Sequence, residues 1–178
     1  ITIEITGKGG HGAPAYLTVD PVLVAGHIIT AVQSIVSRNV RPIDAAVVSL
    51  CGLQAGDLHA MSVVPGKAIL VGTVRTFLPE VQDLVERRLS ELCSAVALGF
   101  GATATVRYER IYPATVNALR ETHFAAGVAE ALVGADQVHE STVWDTGCTD
   151  MGDISCVIPA IHPAGSGATG HGHGADGQ

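Results

Sequence analysis

The run Gly7-Lys8-Gly9-Gly10-His11-Gly12-Ala13-Pro14 sets one histidine among glycines. Glycines admit backbone conformations closed to other residues and allow close approach to a ligand. They also leave an imidazole uncrowded, so His11 reads as a side chain presented to a reactant and fit for proton or hydrogen-bond chemistry. A Gly-rich turn with a solvated histidine is the simpler alternative. A second group lies at the far end of the chain, where His162, His171 and His173 fall close together. A His-x-His pair within glycines is half of an ordinary zinc site, which takes three or four ligands. A plain polar Gly/His tail is the alternative there. Asp150 and Asp153, just upstream, would either orient metal ligands or cap a turn.

These residues need elements to position them. Ile1, Ile3 and Ile5 alternate with polar residues and predict a half-buried strand. Asp20 and Pro21 open a helix over about 20–38, whose apolar residues recur at helical spacing. Asp44 to Leu53 reads as a buried strand, Gln54 to Ser62 as a loop or hairpin tip, and Val63 to Phe77 as one long strand. Pro79 opens a second helix with Val81, Leu84, Val85, Leu89, Leu92, Cys93 and Val96 on its apolar stripe, ended by Gly99 and Gly101. Thr103 to Arg110 is the last strand. The order strand, helix, strand, strand, helix, strand predicts an α+β, ferredoxin-like domain over 1–113: a four-stranded antiparallel sheet with two helices on one face. Beyond Tyr112-Pro113 the expectation is a separate segment, 114–178. Asn117 caps its helix, Phe124, Val128, Ala131 and Leu132 face inward, and Gly134 stops it.

Composition narrows the function classes. The chain has 178 residues, 47% of them apolar and 4% aromatic, so Ala, Val, Leu and Ile must fill the core. The net charge of -7, with 10 scattered basic residues, leaves no Lys/Arg block for a nucleic-acid backbone. No uninterrupted apolar run approaches the length of a membrane span, so no membrane partner is expected. Four cysteines without a C-x-x-C pair predict reduced thiols and a cytoplasmic protein, with Cys51 and Cys93 as buried small hydrophobes. The chain opens on Ile1 rather than Met, so an internal start is expected.

The segment around His11 resembles the lid-domain signature of the metal-dependent amidohydrolase family that includes aminoacylases, carboxypeptidase-type exopeptidases and hippurate hydrolases. Gly72-Thr73-Val74-Arg75-Thr76-Phe77 and Tyr112-Pro113-Ala114-Thr115-Val116-Asn117 resemble that family's third lid strand and its return into the catalytic domain. Thr149-Asp150-Met151-Gly152-Asp153 and Gly170-His171-Gly172-His173-Gly174 resemble the end of its catalytic domain. The resemblance implies several roles. His11 would reach the active site of a partner subunit in a homodimer joined through the lid. His173, or His171, would complete a site for two divalent metal ions, Zn²⁺ or Mn²⁺. The substrate would be a small N-acyl amino acid.

Two departures stand out. The family commonly carries Asn before Val-Ile-Pro, where it helps bind substrate, whereas Ser62 precedes Val63-Val64-Pro65 here. The loop Asp57 to Met61 also runs longer. The family's first metal ligands and its Glu-Glu pair match nothing in this chain. The expectation is therefore a lid plus the C-terminal part of a catalytic domain, inactive alone and holding at most one metal ligand. The alternative is a non-catalytic dimerisation or binding module made of the lid alone.

Overall fold

The computed structural model describes residues 1–139 and 149–163. His171 and His173 lie outside them. The chain divides into two compact units, Ile1–Ile111 and Tyr112–Gln178.

The first unit is built on a four-stranded antiparallel sheet. Its strands are β1 (Thr2–Thr6), β3 (Ala46–Ala55), β5 (Lys67–Thr76) and β6 (Thr103–Arg107), in the order β3-β5-β1-β6. A two-residue strand β2 (Gly10–His11) pairs with β4 (Val63–Val64) in a separate ribbon. Helices α1 (Pro21–Asn39) and α2 (Pro79–Gly99) join the main strands in the ferredoxin-like order. Asp20 starts α1 by accepting hydrogen bonds from the Val22 and Leu23 amides at 2.8 and 3.4 Å. Gly101, at φ 76°, ends α2 in the left-handed conformation that suits glycine.

One face of each helix and one face of the sheet form the core. Ile3 and Ile5 of β1 and Ala68 and Leu70 of β5 meet Val24, Ile28, Val32 and Ile35 of α1 and Val85, Leu89 and Cys93 of α2, all fully or nearly fully buried. Each of the large side chains contributes about 1.5–3 kcal/mol by leaving water. By length and composition α1 could cross a bilayer, with 19 residues and a mean hydropathy of 1.2. It instead buries one stripe against the sheet, as a core helix does.

Several expectations change. The stretch from Val63 is not one long strand: Pro65-Gly66 separates β4 from β5. β3 is not a buried strand but the edge of the sheet, with Val48 its one buried residue. A register shift between Leu50 and Gly52 sits at Cys51, whose thiol is exposed rather than packed. β6 ends at Arg107, earlier than the expected Arg110. Arg110 binds back to α2, its guanidinium donating to Glu86 and, at 2.7 Å, to Asp83.

In the second unit, α3 (Leu119–Val133) does not use Asn117 as its cap. Asn117 Oδ1 accepts from the His162 amide at 2.9 Å instead. The expected inward stripe is open: Phe124 is 75% and Leu132 79% exposed, and α3 buries no residue among those described. Gly134 does end the helix, at φ 94°. The apolar stretch around Ile154 begins as a short helix, α4 (Met151–Ser155).

Candidate functional site

The β2–β4 ribbon carries His11. In the ribbon His11 lies opposite Val63 and Gly10 opposite Val64. The Gly12 amide donates to the Ser62 carbonyl at 2.7 Å. On the other side of the same stretch, Lys8 and Val19 exchange backbone hydrogen bonds at 2.8 and 2.9 Å, and the Gly7 amide donates to the Gly66 carbonyl at 2.9 Å. The segment around His11 is thus held from both flanks by main-chain bonds, each contributing about 1 kcal/mol net.

The glycines serve this arrangement in an unexpected way. None of those between Gly7 and Gly12 has positive φ. They make room for backbone: a Cβ on Gly7 would lie 2.2 Å from the Val19 carbonyl oxygen, and one on Gly9 2.8 Å from that of Val64. The close approach is to the chain itself, and it fixes where His11 stands.

His11 is exposed, and its Nδ1 accepts a hydrogen bond from the Ala13 amide at 3.0 Å. A nitrogen that accepts cannot carry a proton, so the neutral imidazole bears its proton on Nε2. The result is an N–H donor on an exposed residue, in a tautomer that the Ala13 amide favours. Nothing in the sequence pattern reports the Ala13 contact.

Ser62 is brought next to His11 through its backbone, and its side chain is exposed. Asp150 and Asp153 occupy the start of α4 in the second unit. Thr149 Oγ1 donates to Asp150 Oδ1 at 2.9 Å, and the Asp150 carbonyl accepts from the Asp153 amide at 3.1 Å. Asp150 stands at the cap position, yet its side chain makes no capping bond. Among the described residues no three His, Cys, Asp or Glu side chains converge as a metal site requires. The described residues therefore do not by themselves fit a two-metal centre.

An α+β domain of ferredoxin-like topology thus carries, on a small separate ribbon, a histidine whose Nδ1 is bonded to the main chain. Residues 1–99 match the family described as peptidase dimerisation domain, and the chain belongs to that family. The N-acetylcysteine deacetylase of Bacillus subtilis is 37% identical over 137 residues, which are 77% of this chain and 35% of that protein. The hippurate hydrolase of Campylobacter jejuni is 35% identical over 133 residues, 75% of this chain and 34% of that protein. Among solved structures, the Bacillus subtilis YXEP protein, described as a dinuclear metal binding peptidase of the M20 family, superposes with a TM-score of 0.62 at 30% identity. That match covers 89% of this chain and 37% of the other. The chain spans about a third of the length of the curated relatives it matches. These relatives are hydrolases.

Proposed function

We propose that residues 1–113 are the lid and dimerisation domain, and 114–178 the C-terminal part of the catalytic domain, of an enzyme that hydrolyses the amide bond of N-acyl amino acids at two divalent metal ions. In this reading His173 or His171 supplies one metal ligand, and residues beyond this chain supply the rest. Asp150 and Asp153 orient ligands, and Ser62 lines the substrate site. His11 acts in the site of the partner subunit.

The observation that carries the reading is the Ala13 amide on His11 Nδ1. Amide hydrolysis places negative charge on the carbonyl oxygen as the tetrahedral intermediate forms. A fixed Nε2–H donor aimed at that oxygen stabilises it, an effect worth ~3 kcal/mol at comparable sites. Because the charge develops only in the transition state, the benefit falls on the chemical step. In the whole enzyme, His11→Ala should lower kcat about 100- to 1000-fold and leave KM nearly unchanged. A variant with a raised KM and intact kcat would show a binding role instead.

A further inference from the structure

The first unit is uneven in charge from one side to the other. α1 packs over β3 and β5, and α2 over β6. The solvent side of α2 carries Glu80, Asp83, Glu86, Arg87, Arg88 and Glu91. The edge strand below it, β6, is short, and Arg107 there pairs with Glu109 at 3.5 Å. The other side is bare. Residues 21–37 of α1 contain no Lys, Arg, Asp or Glu, and neither do residues 45–56, which span the edge strand β3. The neighbouring charges are engaged. Asp20 caps α1, Arg41 pairs with Asp44 at 2.7 Å, and Asp57 accepts from the His59 amide at 2.9 Å. On β5, Lys67 pairs with Glu4 at 2.8 Å, and Arg75 donates to Thr73 and, at 2.9 Å, to the Val74 carbonyl. Lys8, opposite Val19 just ahead of α1, is exposed and stands at the rim of this surface, where a charge is ordinary. A ten-residue edge strand without charge or proline is one that soluble proteins keep covered.

α1 itself shows where the cover lies. The His27 ring stacks on Phe100, just past the end of α2, with centroids 4.6 Å apart, so that side of α1 faces α2. Arg38, about three turns further on, falls on the same side. Across the helix, towards β3, run Val22, Gly26, Ile29, Gln33 and Val36. Their spacing alternates four and three residues, the period of a seam between two helices. It is distinct from the core stripe of Val24, Ile28, Val32 and Ile35. Val22 is 40% exposed, and Ile29 and Val36 are half-buried. Gly26 is the telling member. A glycine inside a helix destabilises it, and a Cβ here would meet nothing within 4 Å. A single copy of the fold gives no reason for the missing side chain, whereas close approach of another helix does. Resting on the reading of residues 1–113 as a dimerisation domain, we propose that this seam, with the edge of β3 beside it, is the surface on which two copies of the chain pair. The seam complements itself. With two α1 helices antiparallel about Ile29, Val22 of one copy meets Val36 of the other, Ile29 meets Ile29, and Gly26 makes room for Gln33. The free main-chain groups of β3 lie alongside and pair about the same two-fold axis.

The test is sedimentation of the whole enzyme over a range of concentrations. Gly26→Gln fills the gap that Gln33 of the second copy needs and should raise the dimer dissociation constant about 100-fold. Open space around Gly26 and the better helix propensity of glutamine keep each copy folded, which circular dichroism checks. Adding Gln33→Gly moves the gap to the facing position and should restore most of the dimer. Val22→Glu, in the first turn where an acid suits the helix, should also dissociate it by placing an unpaired charge in the seam. Arg87→Gln on the solvent side of α2 is the control and should change nothing. A Gly26→Gln enzyme that stays as dimeric as wild type overturns this surface and leaves the dimer reading standing. Dissociation that Gln33→Gly does not relieve overturns the antiparallel seam. Wild-type enzyme that is monomeric at every concentration removes the dimer reading itself, a failure distinct from the others.

Discussion

The two units use similar apolar sequence to different ends. In the first, α1 and α2 bury Val24, Ile28, Val32, Ile35, Val85 and Leu89 to zero exposure against β1 and β5. In the second, α3 has the same helical spacing of apolar residues, yet Phe124, Val128 and Leu132 lie open, and Val157 is equally uncovered. The difference teaches that amphipathic period reports which face of a helix will be covered, not what covers it. The first unit contains its own partner surface. In the second, α3 finds no such surface among the described residues and leaves its apolar stripe open.

The largest expected effect is a paired substitution. Leu89→Ala should destabilise the first unit by about 2–5 kcal/mol, the range for a fully packed leucine. Phe124→Ala should change this chain's stability by less than ~0.5 kcal/mol. Urea unfolding of both variants checks the pair; equal losses would erase the distinction between the units.

Thiol chemistry sharpens the same contrast within the first unit. Burial pushes the Cys93 thiol up to about 11 from an ordinary 9.0, because the thiolate is disfavoured in the apolar core. A folded-state pKa above the unfolded one means that this contribution to stability is fully present below pH 9.0. It is lost as pH rises through about 11. Cys93→Ala should remove that alkaline component from the pH–stability curve. A maleimide reagent at pH 7 should label exposed Cys51 in native protein and spare Cys93 until the unit unfolds. Native labelling of Cys93 at a similar rate would mean that the α2 stripe opens readily.

A smaller effect is expected at the start of α1. Asp20→Ala leaves the Val22 and Leu23 amides without their side-chain acceptor and should cost ~1 kcal/mol by thermal or urea unfolding. No measurable change would show that water replaces the cap.

How far the sequence discloses this structure follows from what each signal encodes. Period-2 and period-3.6 patterns are local, so β1, α1, α2 and the ferredoxin-like order were legible. Asp20-Pro21 and Gly101 marked helix ends through conformations set by the residues themselves. Pairing is not local: nothing in Asp44 to Leu53 tells an edge strand from a central one, so β3 reads as buried and Cys51 with it. Val63-Val64 continues an apolar alternation and reads as part of β5, although it leaves the sheet to pair with Gly10-His11. Asn117 is a good cap by type, but the His162 amide claims its side chain. At the site, the glycine run drew attention to His11 for its freedom, whereas the structure uses the missing Cβ atoms to let strands touch. The tautomer of His11 depends on one amide two residues away and needed coordinates. His171 and His173 rest on resemblance and lie outside the described residues.

The central claim, that His11 serves the active site of a second subunit, is tested most directly by mixed dimers of the whole enzyme. One subunit carries His11→Ala and the other His173→Ala, each shown beforehand to inactivate its homodimer. If His11 acts across the dimer, one site collects both lesions and the other is intact. The mixed dimer should then keep about half of wild-type activity by the logic of a symmetric pair. Activity at the single-variant floor, in samples where mixed dimers are shown to form, would mean that His11 serves its own subunit and would contradict the account.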